Sequence, residues 1–197
     1  MSAVRTMTLL AGLAATLLLA PACALLKKPT PLTQLQLSLD AAELHWPAQL
    51  ELGDVKARGM LQTDRVIVTN GALVMQHGGL RWIAAPAILL AEQLAIARVA
   101  TVSTTIPQRK TRGASINLWL SDFSIALKAS GESSATVSAW ATLSCNNARA
   151  ISQVPPATIA LPLNSTDPQR IAERFDAAAM MVLKKLLAQA AEKSAGC

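Results

Sequence analysis

Three kinds of residue in this chain can carry chemistry alone: Cys23, Cys145 and Cys197; His45 and His77; and Asp54, Asp64, Asp122 and Asp176. Neither histidine has a Cys, His or carboxylate at metal-ligand spacing, so no metal site is expected. The chain holds no G-x-S-x-G, no P-loop and no G-x-G-x-x-G, and Gly78-Gly79 reads as a turn rather than a phosphate cradle. No two aspartates are marked as an acid and base pair, and no serine as a nucleophile. The reading is therefore non-enzymatic, with no cofactor and no metal. The cysteines remain, and their chemistry depends on the compartment.

Cys23 closes the stretch "LLLAPAC". Before it, Arg5 is the single charge, and Met7 to Ala20 is apolar or small apart from Thr8, Gly12 and Thr16. That is the pattern of a secretory signal, residues 1–22, too short to span a bilayer. Two processing routes fit. Ordinary signal peptidase can cut after Ala20-Pro21-Ala22 and release a soluble periplasmic protein. Alternatively "APAC" is a lipobox, and Cys23 becomes an acylated first residue. Ala22 suits the second route, while Ala20 stands where Leu is usual. Several acyl chains on one residue give stable anchoring, and lipidation at Cys23 is the favoured reading. Ala24, rather than Asp, follows the Cys, which by resemblance to bacterial sorting rules points to the outer membrane. Residues 23–34 would be the lipidated Cys and a polar tether, with Lys27 and Lys28 in reach of anionic headgroups. Cys145 and Cys197 are then an even pair that can form a disulfide in an oxidising compartment, or else two unpaired thiols.

Composition narrows the partners. The chain has 197 residues with 18 basic and 12 acidic, net +6, of which Arg5 supplies one. The surplus is scattered apart from Arg109, Lys110 and Arg112. With no Tyr and two Phe, the aromatic platforms of a nucleic-acid binder are missing. Acidic lipid or an acidic partner suits the charge better.

The elements that must position these residues follow from periodicity. Leu35, Leu37 and Leu39 alternate as a strand with leucines inward, and a second strand is expected over 48–57. Gly59-Met60-Leu61 turns the chain. Arg65 to Thr69 is β-branched and meets Asn70-Gly71, which predicts a hairpin with a type I′ turn. Pro86 opens a helix with Ile88, Leu89, Ala91, Leu94, Ala95 and Arg98 inward. Residues 103–112 read as a loop. Ile116, Leu118 and Leu120 share one strand face; Val137, Ala139, Ala141, Leu143 and Cys145 share another. A last strand is expected at 151–154 or 157–161. Asp167 or Thr166 caps a long helix with Pro168 at its start, and Lys184, Lys185 and Lys193 are placed near its C-terminal end. Strands, helix, strands, helix predicts an α+β fold: an antiparallel or mixed sheet with two main helices on one face, one domain over 35–193, and a flexible end at 194–197. Trp82 is expected to pack at the first helix's entrance. Trp119 and Trp140 fall on polar strand faces, where they are either partner-contact residues or covered by a neighbouring element.

"GDVKARGMLQTDRVIVTNGA", then "LRWIAAPAILLAEQLA", and the ending from "LWLSDFSIAL" to "AERFDAAAMMVLKKLL" resemble the ABC-type transport auxiliary lipoprotein family, the PqiC-like lipoproteins of MCE-type lipid transport systems. The resemblance covers nearly all of the chain after the signal. It implies a non-enzymatic outer-membrane lipoprotein that docks the periplasmic part of a lipid transporter, with permease and ATPase on separate chains. Partners would be the MCE protein and, through the anchor, the inner leaflet of the outer membrane, with no nucleic acid; self-association is compatible with this. Trp119, Trp140, Arg109, Lys110 and Arg112 are the candidate partner contacts. The alternatives are an assembly factor or plug for an outer-membrane protein complex, and, further off, a secreted hydrolase.

Overall fold

The strongest alternations in the sequence become the centre of a sheet. The computed structural model describes residues 31–40, 42–104, 113–145 and 151–195. Among the described residues the strands are β1 (Thr33–Leu35), β2 (Leu50–Ala57), β3 (Arg65–Asn70), β4 (Leu73–Trp82), β5 (Ala114–Leu127), β6 (Ser133–Cys145) and β7 (Ile151–Leu163). The helices among the described residues are α1 (Pro86–Thr104) and α2 (Pro168–Ser194). The fold is α+β, and its 7-stranded sheet is mixed. Its order is β1-β4-β3-β5-β6-β7, with β2 also paired to β5. β2 lies along the first half of β5 and β3 along the second, both parallel to it, with a 3-10 turn at Gly59–Gln62 between them. The hairpin pairs β3–β4, β5–β6 and β6–β7 are antiparallel, and β1 is parallel to β4.

Inward faces match the alternation. Ile116, Leu118 and Leu120 oppose Leu143, Ala141 and Ala139, all buried. A bulge between Leu120 and Asp122 then brings Phe123 and Ile125 to the same side. Helix α2 crosses β6 and β7. Its expected stripe, from Ile171 and Phe175 through Ala178, Ala179, Val182 and Leu183 to Leu186 and Leu187, is buried throughout. Asp167 caps it, with Oδ1 accepting from the Gln169 N–H at 3.3 Å. Phe175 meets Trp82 and Phe123 at centroid distances of 5.2 and 4.7 Å, and Trp82 meets Phe123 at 5.2 Å. Trp82 therefore belongs to the centre of the core at the end of β4, rather than to the entrance of α1.

Several expectations need correction. The strand at Leu35–Leu39 stops at Leu35. Leu37 and Leu39 still point inward, but the Ser38 N–H donates to Asp176 Oδ1 at 3.0 Å instead of joining a ladder. Burial pushes the Asp176 carboxyl up, against that bond, and Glu173 adds to the rise. The β3–β4 turn is Gly71-Ala72: Asn70 pairs with Leu73, and Gly71 at φ +57° stands alone in positive φ there. A type I′ turn needs both central residues positive, so this is the Gly-first, II′ kind. Helix α1 turns Ile88 and Ala95 outward and buries Ala87, Leu89, Leu90, Leu94 and Ala97. It is apolar almost all round, so periodicity could not choose its face. β7 is one strand running through Pro155-Pro156, not one of two alternatives. Helix α2 extends to Ser194, so Lys184 and Lys185 lie mid-helix and only Lys193 is in the last turn. Ser194 is buried, and Gln49 Nε2 donates to its Oγ at 3.4 Å.

Candidate functional site

β5 and β6 place Trp119 directly opposite Trp140. The indoles stack with centroids 5.4 Å apart and planes 7° from parallel. On the other side of Trp119 the parallel partner is Lys56 of β2, its Nζ 5.5 Å from the ring centroid. Arg58, two residues on and just past the end of β2, holds Cζ at 5.1 Å from the Trp119 centroid. One cation and two indoles thus form a row across three strands, with a second cation beside it. Both indoles are half-buried and both cations exposed.

A β-bulge aims this row. Between Leu52 and Val55 the β2–β5 register slips. Gly53 and Asp54 together face Asn117, which returns Val55 and Ala57 to the core side and points Lys56 at Trp119. Asn117 Oδ1 accepts the Asp54 N–H at 2.9 Å. A Cβ on Gly53 would lie 2.4 Å from that same oxygen. Gly53→Ala is expected to destabilise by about 1–3 kcal/mol and to move Lys56 off the indole. The check is a melting curve together with Trp fluorescence; an unchanged melting temperature and an unchanged emission would remove the bulge from the account.

Beside the row, a groove of about 550 Å³ is walled by Val55, Gln62, Ala87 and Ile88, with Lys56, Arg58 and Trp119 at its rim. Lys56 is already engaged by Asp54 at 2.7 Å, in an exposed pair worth little. Arg58 makes no ion pair among the described residues. Its guanidinium lies over the indole with N–H groups that can fork onto a carboxylate or phosphate. The surface suits recognition of an acidic group carried on an apolar segment. Burial raises the Asp122 carboxyl, against bonds from the Ser124 hydroxyl and the Phe123 N–H. His77 Nδ1 accepts the Gly79 and Leu80 N–H groups, each at 3.1 Å, which is a structural task.

Of the residues singled out by sequence, Trp119 and Trp140 come together. Arg109, Lys110, Arg112, Cys23 and Cys197 lie outside the described residues. Cys145 is disulfide-bonded and half-buried at the end of β6. Sequence reasoning missed Lys56, Arg58 and Ile88 as neighbours of the indoles. The alternation of Val55, Lys56 and Ala57 was a usable signal for an outward lysine; the parallel β2–β5 pairing that delivers it was not.

No family model and no curated protein matches this chain. Solved structures do. The crystal structure of protein XCC0632 from Xanthomonas campestris, described by the family model DUF330, aligns with a TM-score of 0.65 at 18% identity, over 83% of this chain and 98% of that one. A crystal structure of an uncharacterised protein aligns with a TM-score of 0.56 at 12% identity over the same shares. At these identities the likeness is one of fold. No described helix is long and apolar enough to cross a membrane.

Proposed function

We propose that this chain is a non-enzymatic lipoprotein, tethered through Cys23 to the periplasmic face of the outer membrane, that docks the periplasmic MCE-type component of an ABC-type lipid transporter. The signal and lipobox pattern supports the location, and the resemblance of "GDVKARGMLQTDRVIVTNGA" and the segments after it supports the system. The observation that carries the docking role is the half-exposed Trp119–Trp140 stack with Lys56 and Arg58 over Trp119. Stacked indoles with a guanidinium are the residue types that concentrate binding energy in interfaces. Helix α1 supplies the apolar wall, and Arg58 the fork for an acidic side chain.

The docking claim is tested by co-purification of the transporter components with tagged variants. Trp119→Ala should weaken capture of the MCE-type protein by roughly 2 kcal/mol, about thirtyfold. Arg58→Glu should weaken it too, and more strongly at low salt. Capture unchanged in both variants would exclude this face as the docking surface.

A further inference from the structure

The tip of the β3–β4 hairpin combines features that no docking role at the indole row uses. Leu73, Val74 and Met75 are exposed at 63%, 52% and 45%. They follow one another along a strand, so Leu73 and Met75 face one side of the ribbon and Val74 the other. Both sides are therefore apolar and open to solvent. From Asn70 to Gly79 the sequence has no Asp, Glu, Lys or Arg. Edge strands are usually blunted by charge or proline, as β7 is by Pro155, Pro156 and Pro162.

The direction of β1 sets the end of the sheet from which the chain comes. β1 runs parallel to β4, with Thr33 opposite Leu80. The chain thus enters the domain from the end at which β4 begins, which is the hairpin end. From Leu80 back to Leu73 is about 23 Å along the strand. The tether from Cys23 to Thr33 spans up to about 33 Å when extended. An acyl group on Cys23 can therefore reach the level of Leu73.

We infer that the hairpin tip, Leu73 to Met75, is a second membrane contact that seats in the headgroup and upper acyl region of the bilayer to which the tether leads. A protein groove would cover one side of the ribbon; a lipid interface surrounds both, which is what two apolar sides require. Insertion is shallow, because the backbone groups of β4 that have no partner among the described residues must stay within reach of water. Leu32, just before β1, is a further exposed apolar side chain, at 39%. The inference rests on the anchoring proposed above, and its test is arranged to be read apart from it.

The mature chain from residue 23 to 197, carrying Cys23→Ser so that no acyl group contributes, is floated with vesicles of phosphatidylethanolamine and phosphatidylglycerol. The reference chain should partition onto the vesicles. The triple variant Leu73→Asp, Val74→Asp, Met75→Asp should partition at least about tenfold less, with the same melting temperature because all three side chains are exposed. Absence of flotation by the reference chain overturns the inference, and so does equal flotation of the two. A dimer in sedimentation that the triple variant abolishes, without flotation, replaces it with strand addition at the β4 edge. Acylation is read independently, as the mass of the N-terminal peptide of the chain purified from membranes; an unmodified Cys23 would remove the anchor while leaving the flotation result to stand or fall alone.

Discussion

Phe175→Ala should unfold this domain more readily than any surface change considered above. Phe175 is fully buried and packs edge-on to Trp82 and stacked on Phe123. The three rings join α2, β4 and β5, elements far apart in sequence, so the loss opens a cavity where the layers meet. Large-to-small changes at such positions cost about 3–5 kcal/mol. For a domain of this size that is a fall of roughly 10 °C or more in melting temperature. Phe175→Leu keeps most of the volume and should lose less than half as much. Equal losses for the two variants, or a fall of only a degree or two for Phe175→Ala, would show that the triad is not where helix and sheet are held together. The indole N–H of Trp82 has no acceptor among the described residues, so its ring contributes here by volume and shape.

The second large effect is expected at Cys145. It is disulfide-bonded, and the other cysteines are Cys23 and Cys197. With Cys23 acylated as proposed, its sulfur is occupied, and Cys197 is the partner that we propose. The described residues beside it agree. Cys145 pairs with Ala114, the Ala114 N–H donates to the Gln49 carbonyl at 3.1 Å, and Gln49 Nε2 reaches Ser194. Lys193 Nζ donates to the Gln153 carbonyl at 2.6 Å, on the strand next to β6. The last described turn of α2 thus ends beside the end of β6. A crosslink closing the loop from 145 to 197 removes about 4 kcal/mol of chain entropy from the unfolded state. Cys145→Ser and Cys197→Ser should therefore lower the melting temperature alike, by roughly 10 °C, and reduction of the parent chain should do the same. Non-reducing peptide mapping that joined Cys145 to Cys23 would contradict both this pairing and the acylated anchor.

Much of the fold could be read from spacing because the core face is one-sided. Ile116, Leu118 and Leu120 of β5, Val137, Ala139, Ala141 and Leu143 of β6 and the stripe of α2 were legible one by one, whereas Phe123 and Ile125 follow a bulge that alternation does not show, and Cys145, expected on the core face, is only half-buried. Helix α1 was not legible, since apolar residues on nearly every side leave its buried face to be chosen by contact with β2 and the 3-10 turn. The hairpin was legible, but its turn moved one residue onward, because the pairing of Asn70 with Leu73 needs positive φ only at Gly71. The indoles were visible as misplaced on polar strand faces. Their opposition followed only from the β5–β6 register, and their cations only from a parallel pairing across more than sixty residues that a one-residue bulge then re-aims. Local patterns carry no record of such long-range register.

The proposed role is tested most directly by affinity purification of the tagged full-length chain from the membranes of its own cells. In this role the chain is expected in the outer-membrane fraction with an acylated Cys23, bringing with it an MCE-type protein and its permease and ATPase. Recovery from the soluble fraction with an unmodified N-terminus and none of these partners would contradict it.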